Sequence, residues 1–424
     1  MTNIMKHTYL AIDLKSFYAS VECVERGLDP FTTHLAVADS ERSSSTICLA
    51  ITPSMKQLGI RNRCRLHEIP NTLEYIIAKP RMKLYIDYSC RIYCVYLRYL
   101  SPEDIHVYSI DECFLDITSY LSLYHQRPEE FALTLTSEIF KETGIRATVG
   151  IGPNLYLSKV AMDIMAKHSP DFLGQLDESS YKEQLWNHLP LTDFWRIGSG
   201  TVRRLSKLGI YTMGDIAQIS LTDEDILYRE FGVDAELLID HAWGYEPCTI
   251  QDIKQYRPRT HSLSSGQILM RNYQKEEALL VLREMTELLI LNLVEQSLVT
   301  RRIHLHISYD HKLLSPDNQK SRTLPAPTSS TAELLDAVTV LFHQIVKPVG
   351  IRKLSVSLEQ LEPRGATQLC LFHDPAEQER ELRLQNTILT IRHRYGKNAL
   401  MRASSLLKAS TFLERNQQIG GHRA

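Results

Sequence analysis

The sequence predicts a multidomain α+β protein, and three patterns along its 424 residues indicate this fold class. Residues 1 to about 165 alternate strand-like and helix-like segments, as α/β and α+β domains do. Residues from about 170 to 245 are wholly helical, with short connections. Residues 262 to about 362 follow the order strand, long helix, strand, helix, strand. A chain of this length can form two to four domains with ample core.

Hydrophobic periodicity predicts the individual elements of the first region. Its strands are predicted at Thr8–Asp13, Leu35–Asp39, Ile47–Ile51, Ile105–Ser109, Cys113–Ile117 and Arg146–Ile151. Its helices are predicted at Phe17–Arg26, Thr52–Leu58, Tyr85–Tyr99, Glu129–Thr143 and Asn154–Lys167.

The region after residue 262 contains two predicted helices, Lys275–Glu295 and Thr331–Val346. Its last two strands are predicted at Arg301–Tyr309 and Arg352–Leu361. The stretch between Asp310 and Ser330 is rich in Pro, Ser and Lys, which predicts a mobile loop.

The composition is that of an ordinary globular protein, with 43% hydrophobic and 23% charged residues. A formal net charge of −2 excludes a uniformly basic protein that coats DNA, but not a protein with a basic cleft. The eight cysteines form no CxxC pair, so neither a zinc site nor a disulfide framework is indicated. No signal peptide or membrane-spanning apolar run is visible, and we expect a cytoplasmic protein.

Three carboxylates stand where the predicted strands end. Asp111 and Glu112 interrupt a run that otherwise reads as a buried strand, and Asp13 ends the first strand. An unpaired buried carboxylate is costly, so a tight turn that brings the acids to a sheet edge is expected. Each acid alone fits an ordinary surface residue or helix cap equally well. Together with their flanking strands they suit a pair of Mg²⁺ ions, which prefer oxygen ligands and can clamp a phosphoryl transfer.

Two segments carry a family resemblance, Asp13-Leu-Lys-Ser-Phe-Tyr-Ala-Ser-Val-Glu22 and Ser109-Ile-Asp-Glu-Cys-Phe-Leu-Asp116. They resemble the two palm motifs of Y-family translesion DNA polymerases, and their separation also fits. The nearer resemblance is to the UmuC-like branch of bacteria, including plasmid- and phage-borne forms of Gram-positive hosts, and it covers nearly the whole chain.

The resemblance implies a right-hand polymerase with a palm, small fingers, a helical thumb and an α/β little finger. The implied domains are the palm at 1–24 and 81–168, the fingers at 25–80, the thumb with a helix-hairpin-helix at 169–248, a linker at 249–261, the little finger at 262–363 and a tail with a clamp-binding motif at 364–424.

The resemblance also assigns catalytic and metal-binding roles. Asp13, Asp111 and Glu112 would be the catalytic residues and would hold two Mg²⁺ ions per active site, together with the backbone carbonyl of Leu14. One metal would lower the pKa of the primer 3′-hydroxyl, and the other would hold the triphosphate.

Nucleotide binding is implied for Phe17, Tyr18, Lys56 and Lys167. Tyr18 alone reads as a core aromatic, but it corresponds to the family's steric gate against ribonucleotides. Lys56 and Lys167 correspond to triphosphate contacts. The chain departs from many relatives in three ways: Pro53 replaces a phosphate-binding Tyr, Lys15 and Ser16 replace an acid and an aromatic, and the spacing near Lys167 is one residue longer.

DNA contacts are expected at two places. Gly198 and Gly200 would let a backbone phosphate approach the N-terminus of the next helix, with Arg203 nearby, in a helix-hairpin-helix that grips DNA without reading its sequence. Arg257 and Arg259 alternate along a polar segment and would follow a DNA backbone.

A short motif in the tail resembles the pentapeptide with which bacterial polymerases bind the sliding clamp. Its residues are Gln368, Leu369, Leu371 and Phe372, whose apolar members would enter a pocket of the clamp. The other reading is an edge strand that packs on its own domain. The basic segment from Thr387 onward fits a contact with DNA or with an accessory protein.

The leading functional hypothesis is low-fidelity, template-directed DNA synthesis past damaged bases, in DNA repair and SOS mutagenesis. Its partners would be primer–template DNA, deoxynucleoside triphosphates, the sliding clamp and accessory subunits, at the nucleoid and without a membrane. One alternative is a catalytically weak DNA- and clamp-binding accessory factor to another polymerase. The other is a nucleotide cyclase, which has no use for the helix-hairpin-helix or the clamp motif.

Overall fold

The computed structural model describes residues 7–41, 45–258, 262–310, 316–365 and 375–423. The chain divides into two compact units, Met1–Tyr256 and Arg257–Arg423. None of the helices in the described ranges is long and apolar enough to cross a membrane.

The first unit contains two sheets. Its strands are β1 (Tyr9–Leu14), β2 (Leu35–Val37), β3 (Ala50–Ile51), β4 (Ile76–Ala78), β5 (Ile105–Val107), β6 (Glu112–Asp116), β7 (Ala147–Gly152) and β8 (Leu173–Gln175). A five-stranded sheet has the order β5-β6-β1-β7-β8, and a three-stranded sheet has the order β3-β2-β4. Five of the six residues of β1 are buried, because this strand is in the middle of the larger sheet.

Helices cover the larger sheet and connect the two sheets. They are α1 (Phe17–Val24), α2 (Pro53–Gln57), α3 (Met82–Tyr96), α4 (Thr118–Tyr124), α5 (Pro128–Thr143) and α6 (Leu155–Val160). The smaller sheet and α2 come from the chain between α1 and α3, which is the segment that we predicted to form the fingers. Its core includes Ala36, Cys48, Ile51, Met55 and Leu66.

The prediction of helices alone from about residue 170 is wrong at β8, which pairs with β7 at the edge of the larger sheet. From Glu178 onward, the rest of the first unit is helical, as the sequence predicted. Its helices are α7 (Glu178–Leu185), α8 (Ser199–Lys207), α9 (Met213–Thr222), α10 (Glu224–Phe231), α11 (Asp234–Trp243) and α12 (Ile250–Gln255). The last of these lies where we expected a polar linker. Ile250 of α12 is buried against Tyr9 and Phe114, so this part of the chain packs on the larger sheet.

The second unit has one four-stranded antiparallel sheet. Its elements are β9 (Leu263–Tyr273), α13 (Lys275–Glu295), β10 (Leu298–Tyr309), β11 (Asn318–Thr328), α14 (Thr331–Ile345) and β12 (Ile351–Pro363). The strand order is β11-β10-β12-β9. Both helices contribute to the main core of this unit, with Leu282 and Val338 fully buried beside Leu305 and Val356 of the central strands.

The strand β11 corrects a prediction, because we expected a mobile loop between Asp310 and Ser330. Residues 318–328 pair with β10 along the edge of the sheet. Pro325 and Pro327 made the sequence of this segment unlike that of a strand. An edge strand can nevertheless contain proline, because the backbone groups on its outer side have no partner in the sheet.

The C-terminal segment packs on the second unit. It consists of α15 (Pro375–Tyr395), α16 (Phe412–Asn416), β13 (Gln418–Ile419) and β14 (His422–Arg423). Glu284 of α13 is buried and accepts a hydrogen bond of 2.6 Å from the Ser410 hydroxyl. Gln385 of α15 is also buried, and its amide donates to the Ser329 carbonyl at 2.9 Å. The tail is therefore an integral layer of this unit.

Candidate active site

The pairing of β1 with β6 places two of the predicted acids side by side. These strands are antiparallel, and their register sets Asp13 directly opposite Glu112. The N–H of Leu14 donates to the Asp111 carbonyl oxygen at 3.0 Å, which holds the start of β6 against the end of β1. All three predicted acids thus lie at one end of the two central strands.

A tight turn between β5 and β6 carries Asp111 to this place. The N–H groups of Tyr108 and Ser109 donate to the Glu112 carbonyl oxygen at 3.0 and 3.1 Å. The Ser109 hydroxyl donates to Asp111 Oδ1 at 2.8 Å and accepts from the Glu112 N–H at 3.1 Å. A short polar side chain at position 109 therefore organises the turn.

The surroundings of Asp13 disfavour the charged form of its carboxyl. Burial raises the pKa of the Asp13 carboxyl to about 7, and repulsion from Asp111 and Glu112 adds to the effect. Attraction to Lys167 opposes the rise in this pKa. A buried acid beside two other acids favours its protonated form unless a cation is close.

The three acids have the right chemistry for divalent metal ions, but their side chains are not yet arranged as a complete set of metal ligands. Carboxylate oxygens are the ligands that Mg²⁺ prefers, and Asp13, Asp111 and Glu112 supply them from adjacent backbone positions. Within the described ranges, however, no three acidic, histidine or cysteine side chains are already arranged around a metal position. Glu112 instead accepts a hydrogen bond of 2.9 Å from Lys159.

Lys159 and Asp163 are site residues that the sequence did not reveal. Lys159 is only 5% exposed and bridges Glu112 and Asp163, with its Nζ atom 3.1 Å from Asp163 Oδ2. Asp163 also pairs with Lys167 at 2.8 Å. A spacing of four residues along a predicted helix was the available signal, but it more often marks solvent-exposed pairs.

The helix that carries these residues has an irregular turn, which would accommodate the longer spacing near Lys167 that the resemblance implies. After α6 the chain continues as a π-helical turn, Ala161–Met165, and ends in a 3₁₀ turn, Ala166–His168. A π-helical turn accommodates one additional residue in a helix. It brings Lys167 close enough to Asp163 and Asp13 that their attraction raises the pKa of Lys167 against the effect of burial.

Glycines in the neighbouring strands let this helix approach the sheet. A Cβ atom on Gly150 would lie 2.0 Å from the Ser158 carbonyl oxygen, and one on Gly152 would lie 2.4 Å from the Ser158 nitrogen. A Cβ atom on Gly174 of β8 would lie 2.5 Å from the Ala161 carbonyl oxygen. The absence of side chains at these positions therefore allows the helix that carries Lys159 to lie directly on the sheet.

Lys56, the other lysine predicted to bind the triphosphate, lies near the C-terminus of α2. Burial lowers its pKa, attraction to Asp13 opposes that change, and repulsion from Lys167 and Lys15 reinforces it. The structure thus brings Lys56 and Lys167 towards the same carboxylate. Pro53, at the first position of α2, is buried and has no N–H donor.

Phe17 and Tyr18 begin α1 and differ in their surroundings. The Phe17 side chain is only 2% exposed, so its ring belongs to the core. Tyr18 is half-buried and stacks on Tyr85, with ring centroids 4.6 Å apart. The Tyr85 hydroxyl donates to the buried Glu22 at 2.8 Å, and this acid also accepts two hydrogen bonds from Arg81.

The predicted helix-hairpin-helix begins with a short 3₁₀ turn, Leu191–Asp193, instead of a full helix. Gly198 is the N-cap of α8, and Gly200 lies in the first turn. A Cβ atom on either glycine would meet nothing within 4 Å, and Arg203 is exposed on the same helix. The backbone here is open to an approaching phosphate.

A cleft of about 550 Å³ joins this glycine-rich turn to Glu112. Its lining includes Glu112, Lys159, Trp195 and Gly198. The Trp195 indole N–H donates to the Tyr108 hydroxyl at 3.1 Å. The turn and Glu112 therefore border the same cleft.

Several predicted contacts lie elsewhere or beyond the described residues. Arg257 is exposed at the start of the second unit. Arg259 falls in 259–261, outside the described ranges. The four residues of the clamp motif also fall outside them, in 366–374: Gln368, Leu369, Leu371 and Phe372.

Comparisons with known proteins agree with this architecture. Residues 12–163 match the model of the impB/mucB/samB family, and residues 260–371 match the model of that family's C-terminal domain. The UvrX protein of Bacillus subtilis (strain 168) is 34% identical over 417 residues, which cover 98% of this chain and 97% of UvrX. The chain belongs to the impB/mucB/samB family.

Two further matches place this family member among Y-family folds. A protein of the same Bacillus strain named DNA polymerase IV 2 is 31% identical over 97% of both chains. Among solved structures, a Y-family DNA polymerase chimera, Dbh-Dpo4(243-245)-Dbh, superposes with a TM-score of 0.62. That match has 20% sequence identity and covers 84% of this chain and 99% of the chimera, so it concerns the fold. The predicted Y-family polymerase fold is confirmed.

Proposed function

We propose that the protein is a template-directed DNA polymerase that synthesises DNA past damaged bases with low fidelity. The observation that carries the proposal is the register of β1 and β6, which sets Asp13 beside Glu112 in a member of the impB/mucB/samB family. Membership of this family and the full-length similarity to proteins named DNA polymerase IV support the same reaction.

The reaction is nucleotidyl transfer supported by two Mg²⁺ ions, which when bound would activate the primer hydroxyl and neutralise the leaving pyrophosphate. Asp13 and Asp111, with the Leu14 carbonyl, would hold the ions at the end of β1. Glu112 would complete the ligand set after exchanging its contact with Lys159. Lys159 retains a partner in that state, because it also pairs with Asp163.

The incoming deoxynucleotide would lie between the acids and the smaller sheet. Lys56 and Lys167 would contact the triphosphate, since both are drawn to the same acid, Asp13. The buried ring of Phe17 packs beside Tyr18. Because the Phe17 side chain is in the core, Phe17 would contact the nucleotide only through its backbone. Tyr18 would face the sugar. A ring in that place excludes a ribose 2′-hydroxyl by steric clash.

Primer–template DNA would lie along the cleft that leads from Glu112 to α8. Gly198, Gly200 and Arg203 would contact phosphates through backbone N–H groups and a positive side chain, without reading sequence. Arg257 and Arg259 would add contacts from the second unit. Such binding should weaken strongly with rising salt concentration.

We also propose that the protein acts at a sliding clamp. The motif at 368–372 follows β12 and precedes α15, two elements of the second unit. Its substrate and clamp would place the protein in the cytoplasm at the nucleoid. Accessory subunits would add a further contact, for which the basic tail is the candidate.

Primer extension tests the proposed function. Wild-type protein with Mg²⁺ should extend a primer on an undamaged template and insert a nucleotide opposite an abasic site. The double variant Asp111→Asn/Glu112→Gln should bind the same DNA but lose extension by a factor of about 10³ or more, because it loses two metal ligands. Lack of extension by wild type, even with a loaded clamp, would favour the accessory factor.

A further inference from the structure

Lys15 lies in the turn between β1 and α1, and its position is fixed on several sides. Its N–H donates to the Arg146 carbonyl at 2.9 Å, and its own carbonyl accepts from the Ser20 hydroxyl at 2.6 Å. Its Nζ atom donates to the Lys167 carbonyl at 3.4 Å and lies 4.6 Å from the centre of the Phe172 ring. The backbone of Lys15 is therefore fixed at the end of β1, and its ammonium group contacts the Lys167 carbonyl and the Phe172 ring.

Three ammonium groups converge at this place. Those of Lys15, Lys56 and Lys167 all interact with the Asp13 carboxylate. Lys167 has an ion pair with Asp163, whereas in the described part of the chain no carboxylate lies within 4.0 Å of Lys15 or Lys56. Lys15 and Lys167 also repel each other. Like charges in a half-buried place are unfavourable unless an anion joins them.

Lysines and acids are present in equal numbers in this part of the protein. Ion pairs or longer-range charge interactions link four lysines and four acids: Lys15, Lys56, Lys159, Lys167, Asp13, Asp111, Glu112 and Asp163. Acids that bind divalent cations can no longer neutralise the lysines. The lysines then attract a polyanion, and a triphosphate supplies several charged oxygens within the reach of separate side chains.

We propose that Lys15 is a third triphosphate-binding residue of this polymerase, beside Lys56 and Lys167. The proposal rests on the proposed polymerase function and concerns the phosphate groups of the incoming nucleotide. Pro53 has no N–H donor to offer a phosphate, whereas Lys15 supplies a cation that interacts with Asp13. Lys15 would raise the affinity for the nucleotide through its phosphate groups, and it would contact neither the sugar nor the DNA duplex.

Steady-state kinetics with saturating primer–template tests this role. Lys15→Ala should raise the KM for a deoxynucleoside triphosphate about tenfold, as the loss of one charge-assisted hydrogen bond predicts. The inhibition constant of inorganic tripolyphosphate should rise by the same factor, while kcat changes little. Lys15→Arg should restore most of both affinities.

A second lysine provides the matched control. Lys141 is 79% exposed on α5, and its Nζ atom lies 3.6 Å from Glu138 Oε1. Lys141→Ala therefore removes the same charge at a position outside the candidate active site. It should leave both constants unchanged. The Kd for primer–template and the thermal melting temperature should be the same in all three variants.

The outcomes separate the two proposals. An unchanged KM and an unchanged tripolyphosphate constant in Lys15→Ala would overturn the role of Lys15 while the polymerase function stands. A weaker Kd for DNA with an unchanged KM would overturn it as well. If wild type extends no primer, the proposed function fails, and calorimetric titration of wild type and Lys15→Ala with tripolyphosphate still decides whether Lys15 binds phosphate.

Discussion

Tyr18 is the residue whose surroundings lead most directly to a statement about substrate choice. Its ring stacks on Tyr85, which is tied through its hydroxyl to the buried Glu22. Two hydrogen bonds from Arg81 hold Glu22 in turn and, against the effect of burial, keep the pKa of its carboxyl below the usual range. The Tyr18 ring is therefore backed by a rigid network and cannot easily retreat from a bulkier sugar.

Replacing Tyr18 by alanine should therefore relax discrimination against ribonucleotides. The selectivity, measured as the ratio of kcat/KM for dCTP to that for CTP, should fall at least about tenfold because the steric clash is lost. Tyr18→Phe keeps the ring and should retain most of the selectivity. A ratio in Tyr18→Ala equal to that of wild type would contradict the gate.

Single residues also show which parts of the site the sequence could reveal. Asp111 and Glu112 were visible because adjacent acids are incompatible with a strand that is buried on both faces. Lys159 and Lys15 were not, since an isolated lysine looks the same in a sequence whether it is buried or exposed. Only the packing of α6 on β7 shows that Lys159 is enclosed and paired with Glu112.

At the scale of elements, the position of the helix formed by α6 and its π-helical turn decides the geometry of the site. Gly150, Gly152 and Gly174 allow its backbone to contact the sheet. In a sequence, these glycines look like ordinary breaks in a strand pattern. Their role becomes clear only from the contact between the helix and the sheet, which a sequence pattern does not show.

Two glycine substitutions should impair different properties of the protein, one its stability and the other its DNA binding. Gly150→Ala should lower the free energy of unfolding by about 2 kcal/mol or more, because its methyl group overlaps the Ser158 carbonyl. Gly198→Ala meets open space and should cost less than about 1 kcal/mol, yet weaken DNA binding several-fold by obstructing a phosphate. Denaturant unfolding and DNA titration measure both.

The reverse pattern would contradict this account. An unchanged stability in Gly150→Ala would mean that the helix can move away from β7 without cost. An unchanged DNA affinity in Gly198→Ala would remove the proposed phosphate contact from the N-terminus of α8.

The predictions of elements failed where tertiary structure overrides local signals. The strand β11 contains two prolines and would be rejected as a central strand, but the edge of the sheet accepts it. The helix α12 lies in a segment whose polar sequence predicts a linker. One buried residue, Ile250, is enough to dock it on the larger sheet.

At the scale of the whole molecule, the order of its parts agrees with the Y-family polymerase fold. The second unit is a sheet covered by two helices, to which the tail adds a further helical layer. The sequence predicted this order of elements except for β11. It could not predict that the tail packs on α13, because the contacts of Glu284 and Gln385 join residues far apart in the chain.

Substitutions in the motif at 368–372 should separate clamp-stimulated synthesis from basal primer extension. Replacing Leu371 and Phe372 by alanine should abolish the stimulation of synthesis by a loaded clamp, because both apolar anchors are lost. Extension without the clamp should remain at the wild-type level. Equal loss of both activities, together with a lower melting temperature, would indicate that the segment is needed for folding instead.

The most direct test of the central claim is single-turnover insertion of one deoxynucleotide opposite an abasic site with Mg²⁺. Wild type should insert the nucleotide, and Asp13→Asn, which keeps the size of the side chain, should bind the same DNA and lose insertion by about 10³-fold. Insertion by Asp13→Asn at the wild-type rate would contradict the assignment of the active site. Absence of insertion by wild type, with and without a loaded clamp, would contradict the polymerase itself.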